Sequence, residues 1–147
     1  MKRIATIVIF AALIFAGTAC TVKPEAIRYG TDNCHACKMT LMDKRFGAEV
    51  VTEKGKIYKF DDVNCLVNFL NSGDVQERDV KYTLVTDFSQ PESLIDAATA
   101  FYLKSPEIKS PMASQVAAFE NNDVFKEHKK EFDGFYLTWG ELITQYK

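Results

Sequence analysis

Histidine is nearly absent from this chain of 147 residues: His35 and His128 are the only two, and they lie far apart. No histidine-rich metal centre can be assembled from them, nor the paired histidines with a carboxylate that metal hydrolases use. The sequence also lacks a Ser/His/Asp grouping and a Gly-rich loop able to cradle phosphate, so no catalytic machinery is expected. Its one long apolar run, residues 4–16, is too short to cross a bilayer comfortably. Charge of either sign is not in large excess, with 18 basic and 20 acidic residues. Nucleic acid is therefore not an expected partner.

The apolar run follows a short basic head of Met1, Lys2 and Arg3 and ends in Gly17-Thr18-Ala19-Cys20. A basic head, an apolar core and small residues before a cut mark an export signal. Small residues leading into a cysteine resemble the lipobox of bacterial lipoproteins, which implies acylation of Cys20 and a lipid anchor on the extracytoplasmic side of a membrane. A soluble periplasmic protein cut nearby is the alternative. Loss of residues 1–19 would leave 128 residues with 16 basic against 20 acidic side chains, a formal charge of −4. That length suits one compact domain or two small halves packed closely, neither with much core of its own.

Residues 21–30, with Pro24, read as a tether turning extended near Ala26-Ile27-Arg28-Tyr29. Residues 46–52 and 56–60 are rich in Val, Ile, Tyr and Phe around Glu53-Lys54-Gly55, which predicts an antiparallel hairpin. Asp61 and Asp62 then precede Val63, Leu66, Val67, Phe69 and Leu70, the spacing of an Asp-capped helix stopped near Gly73. Another strand is expected at 81–86. The second half repeats this order: strands at 99–104 and 115–119, a helix capped at Asn121 or Asn122, Phe135-Tyr136-Leu137, and a short helix over 140–146. The expected fold class is therefore α+β, two similar strand-strand-helix-strand units packed together behind a signal peptide.

The chemistry is concentrated in Cys34-His35-Ala36-Cys37-Lys38-Met39, a CxxC with a methionine two positions beyond its second thiol. Two thiols so spaced converge on one ion if the loop turns back, and Met39 can approach from the stretch that follows. Thiolate and thioether donors together suit a soft monovalent cation, Cu(I), better than zinc, which wants four ligands in a structural site. A zinc knuckle would need a second ligand pair, and Cys65 and His128 do not form one. Cys65, on the apolar face of the predicted helix, reads as a buried small hydrophobe before it reads as a ligand. His35, between the two cysteines, reads either as a nitrogen donor or, more commonly for a loop histidine, as a solvated residue. Met112, after Pro111, is either a core filler or a further sulfur donor. Met42 would be turned away by a strand and is left out of the site.

Two other readings of the CxxC stay open. Cys34 and Cys37 could cycle between dithiol and disulfide in an extracytoplasmic redox lipoprotein, although a thioredoxin-like site needs its CxxC at a helix start and here a hairpin follows. A structural disulfide stapling the loop is the third.

These residues resemble the NosL-type copper chaperones associated with assembly of nitrous oxide reductase. The likeness rests on the CxxCxM at 34–39, on Lys56-Ile57-Tyr58-Lys59-Phe60-Asp61-Asp62 leading to Cys65-Leu66, and on Ser110-Pro111-Met112 with Ala118-Phe119. It implies a fold of two similar units and a lipid-anchored protein that takes Cu(I) from a donor and passes it to an acceptor such as that reductase. Carried across, it makes Cys37 and Met39 the leading ligands, then Cys34, with Met112 from the second unit. The family commonly has Gly where this chain has Lys38 and Ala113. The resulting map is a lipoprotein signal peptide over 1–19, a lipidated tether over 20–30 and a copper-binding domain over 31–147, with units at about 31–90 and 91–147.

Overall fold

The structure is a computed structural model that describes residues 21–145. The proposed signal peptide and Cys20 lie outside the described residues. Among the described residues the fold is α+β, with two antiparallel sheets and three α-helices.

The first sheet begins with the hairpin of β1 (Ala48–Thr52) and β2 (Ile57–Phe60), paired from Ala48 with Phe60 to Val51 with Ile57. Gly55 supplies the left-handed residue of the connecting turn, at φ 79°. Helix α1 (Val63–Ser72) starts at Asp62, whose carboxylate accepts the Asn64 N–H at 3.2 Å, and stops at Gly73, φ 80°. Val63, Cys65, Leu66, Val67 and Phe69 are buried on the face turned to β1 and β2. A single 3-10 turn, Glu77–Asp79, leads into β3 (Val80–Thr86), which pairs with the other edge of β1. The short strand β4 (Leu94–Asp96) then adds to β3, giving the order β2-β1-β3-β4.

The second sheet repeats the plan. Strand β5 (Phe101–Lys104) is central, between β6 (Val116–Phe119) and β7 (Phe135–Leu137). Helix α2 (Asn122–Glu131) lies between β6 and β7 in sequence and is capped by Asn121, which accepts from the N–H of Asp123 and of Val124. In each unit the first strand is flanked by the second and by the strand after the helix, so the repeat expected from pattern alone is present in the pairing. Helix α3 (Trp139–Gln145) closes the chain against α1, where Asn71 Nδ2 donates to the Ile143 carbonyl at 3.0 Å.

The two units share their interior. One cluster joins Leu41, Val50, Phe60 and Leu66 of the first to Tyr102, Val116 and Leu142 of the second, and a smaller one lies under α2 around Leu103, Phe119 and Phe125. A parallel bridge between Asp87 and Ala118 ties the sheets at their edges.

Several expectations are corrected in detail. The strand expected from 99 starts at Phe101, because Asp96 Oδ1 accepts the N–H of Ala98 and of Thr99 and holds them in a turn. The stretch after Met39 forms an isolated bridge at Thr40 rather than a strand, so Met42 is 68% exposed without being turned away by strand pleating. Residues 25–30 are no loose tether: the Glu25 N–H donates to Glu49 Oε1, Ile27 is buried, and the segment lies over the sheet face that carries Gly47 and Glu49.

Candidate metal centre

The sulfur motif folds into a tight knuckle on the edge of the first sheet. Asn33 and Thr40 bridge across its base, the Cys34 N–H donates to the Met39 carbonyl at 2.8 Å, and the Lys38 N–H returns to the Cys34 carbonyl at 3.0 Å. Closing so short a loop puts Lys38 at φ 66°, a left-handed conformation that costs a side-chain-bearing residue about 1–2 kcal/mol. This explains the glycine that the resembling family commonly has there.

Lys59 fixes the knuckle to β2. Its carbonyl accepts the His35 N–H at 2.7 Å and its ammonium contacts Asp32 Oδ2 at 2.7 Å, while Asp32 also takes the Arg28 N–H and guanidinium. Burial opposes ionisation of Asp32, but Lys59 and Arg28 outweigh it and hold the carboxyl at about 2. The same ammonium donates to the Ala26 carbonyl, so the N-terminal segment and the knuckle meet on one side chain.

Cys34 and Cys37 are brought together by the knuckle, and α1 adds Cys65 from its first turn. All three are free thiols, and their sulfurs lie within 4.8 Å of one another. Among the described residues they are the one group of three or more Cys, His, Asp or Glu placed to hold a metal ion. Cys34 is 1% exposed, Cys65 is buried and Cys37 is half-buried. The Cys65 thiol donates to Cys34, and against the cost of burial the N–H groups of Cys37 and Asp61 add to it, so Cys34 is lowered to about 5. Burial raises Cys37, while the bond to Cys34 and then burial raise Cys65. One thiolate flanked by two thiols is a site that gives up protons as a soft metal binds.

Cys65 is the residue that sequence reasoning passes over. Its apolar helical setting is as expected, but the face it shares with Leu66 and Phe69 also lies beneath the knuckle. The available signal is the odd count of three cysteines left once Cys20 is assigned to lipid.

The other sulfur donors sit apart from one another. Met39 stands at the knuckle surface, 54% exposed. Met112 is half-buried in the 105–115 loop of the second unit, which is tied to the start of α1: the Met112 N–H donates to Asp62 Oδ2 at 3.0 Å and its carbonyl accepts from Asn64 Nδ2 at 3.3 Å. Asn64 precedes Cys65, so that loop is held beside the thiol-bearing turn. Ala113 takes φ 56°, again where the family commonly has glycine. His35 is exposed, its ring edge against Tyr58 and Phe69, and burial followed by the charges of Lys38 and Lys56 lowers its pKa. The knuckle is a turn rather than a helix start, and its most acidic thiol is the least accessible. Both features disfavour exchange with a disulfide substrate.

Comparison with known proteins bears on the fold and the family. The NosL family profile matches residues 27–146. Among solved structures, the crystal structure of the copper chaperone NosL from Shewanella denitrificans is similar, with 21% identity and a TM-score of 0.69 over 82% of this chain and 96% of that one. At that identity the likeness speaks for the fold. No curated protein matches the chain. The family match spans both units and includes the knuckle, Cys65 and Met112, and on that basis the chain belongs to the NosL family.

Proposed function

We propose that this chain is a Cu(I)-binding metallochaperone, anchored by lipid at Cys20 on the extracytoplasmic face of a membrane. Its sulfur donors are Cys34, Cys37 and Met39 of the knuckle, joined by Met112 of the second unit. The observation that carries this reading is that the Cys34 and Cys37 sulfurs of the knuckle lie within 4.8 Å of each other, with the Cys65 sulfur equally near, on a chain of the NosL family. Thiolate and thioether donors favour a soft monovalent ion, and Cu(I) accepts two or three of them where structural zinc wants four. The similar Shewanella protein is a copper chaperone, which supports the same cargo.

The activity is binding and transfer without catalysis. The knuckle takes Cu(I) from a donor protein, and an acceptor with a better ligand set removes it by stepwise ligand exchange. A copper enzyme such as nitrous oxide reductase is the acceptor that the family resemblance favours. The anchor suits such a handover, because Glu25 is fixed on Glu49 and the five residues back to Cys20 span at most about 18 Å. An acylated Cys20 therefore keeps the domain close to the membrane surface, where an envelope acceptor would be met.

The test is titration of the reduced domain with Cu(I) against a competing chelator, followed by mixing with a copper-free acceptor enzyme. One tightly held ion that moves to the acceptor is the expected result. Absence of competitive binding, or reductase activity on a disulfide substrate in its place, would return the reading to a redox lipoprotein.

A further inference from the structure

The sulfurs of this site are graded by depth. Cys34 is 1% exposed and Cys65 5%, Cys37 is half-buried, and Met39 is 54% exposed. Cys37 is thus the one thiol of the three that reaches the surface, and Met39, whose backbone N–H donates to it, follows two residues along the knuckle. Depth matters because an acceptor's ligand can reach an ion only where that ion has an open side.

Resting on the copper reading above, we infer that Cys65 is a third thiolate ligand and that the cargo has two stations in this one site. In the inner station Cu(I) is held by Cys34, Cys37 and Cys65. In the outer station it sits on Cys37 and Met39, where an acceptor can attack. Geometry supports the inner station first. With metal–thiolate bonds of about 2.3 Å, three sulfurs in a plane around one ion stand about 4 Å apart. The three sulfurs here already lie within 4.8 Å of one another, so closing on an ion needs less than 1 Å of adjustment. Cys65 is also rigidly presented, in the first turn of a helix whose cap, Asp62, is itself fully buried.

Chemistry then separates the stations. Three thiolates saturate Cu(I) and shield it from solvent, which favours retention. The inner station forms with release of the S–H protons to solvent, one from each thiol that becomes a ligand. Moving outward breaks the bonds to Cys34 and Cys65, returns one proton to Cys65, which again donates to the Cys34 thiolate, and forms one bond from copper to the uncharged thioether of Met39. Cu(I) keeps its oxidation state throughout. Cys37 never lets go, so the ion is not released to water between stations.

The experiment compares Cys65→Ser and Met39→Ala in the lipid-free reduced protein, using a colorimetric Cu(I) chelator as the probe. Equilibrium competition gives affinity, stopped-flow mixing gives the transfer rate, and X-ray absorption at the copper edge counts sulfur ligands. Cys65→Ser is expected to weaken Cu(I) binding tenfold or more and to drop the sulfur count from three towards two, with transfer at least as fast as wild type. Met39→Ala is expected to weaken binding several-fold less than Cys65→Ser does and to slow transfer about tenfold. Circular dichroism checks the fold, and Cys65→Ala, which suits an apolar face, replaces the serine variant if that one unfolds. A Cys65 variant that keeps wild-type affinity and three sulfurs overturns the inner station, as does a Met39 variant that loses affinity as severely as Cys65→Ser. If wild type itself binds no Cu(I), the chaperone reading falls instead.

Discussion

The two units have the same strand order and opposite uses for their helices. Helix α1 turns five of its ten residues into the interior, Cys65 among them, whereas α2 buries Phe125 alone and presents Lys126, Glu127, Lys129, Lys130 and Glu131 outward. Their connections differ as well. The β1–β2 turn is tight, but the loop between β5 and β6 runs through residues 105–115 and reaches across to Asp62 and Asn64 at the head of α1. One duplicated plan has yielded a unit that carries the thiols and a unit that braces them. A repeat conserves pairing because backbone hydrogen bonds demand it, while burial and loop length remain free to diverge.

If this division is right, truncating the interior of the first unit should do the most harm. Phe60 is fully buried in β2 and packs on Phe69, so Phe60→Ala is expected to lower stability by about 3–5 kcal/mol in chemical denaturation. Tyr136 on β7 is 42% exposed, and Tyr136→Ala should cost about 1 kcal/mol or less. Equal losses at the two positions would break the comparison.

The helix caps sharpen it. Asp62 accepts from Asn64 of its own helix and also from the Met112 and Ser114 N–H groups of the other unit, whereas Asn121 serves only α2. Asp62→Ala is expected to cost about 2–3 kcal/mol, a cap plus stranded buried donors, against about 1 kcal/mol for Asn121→Ala. A cost for Asp62→Ala no larger than that of Asn121→Ala would show that the brace contributes nothing.

Smaller effects follow from the strained backbone in each unit. Lys38→Gly and Ala113→Gly should each stabilise the apo-protein by up to about 1 kcal/mol, because both residues hold left-handed φ angles. A loss of stability at either position, read from the thermal midpoint, would mean that the side chain contributes more than the conformation costs.

A last expected effect is one of pH. Asp32 titrates at about 2 in the folded state, below the ordinary value of 3.8, so the stability it contributes is present above that ordinary value and fades as pH falls through about 2. Lys59→Met should flatten this acid limb of the stability curve and loosen the knuckle. An unchanged limb would remove Lys59 as its anchor.

How much of this could be read beforehand follows from the range of the interactions involved. The hairpin, the Asp62 cap and the stop at Gly73 are local, written in alternation, helical spacing and turn residues, and they are legible. Strand β4 is not, since three residues carry no period and its pairing comes from β3. The meeting of Cys34 and Cys37 is legible because the two thiols of the CxxC are neighbours in sequence. Cys65 escapes because its apolar setting is real and its nearness to Cys34 is set by tertiary packing, which helical periodicity does not record. The N-terminal segment escapes for a similar reason: Glu49 and Lys59, which bind it, are strand residues with no local sign of that partner.

The most direct test of the central claim is X-ray absorption at the copper edge of the wild-type protein loaded with one equivalent of copper under reducing conditions. The account expects a monovalent edge and a first shell made of sulfur alone. A shell dominated by nitrogen or oxygen, or copper that washes away with a weak chelator, would contradict it.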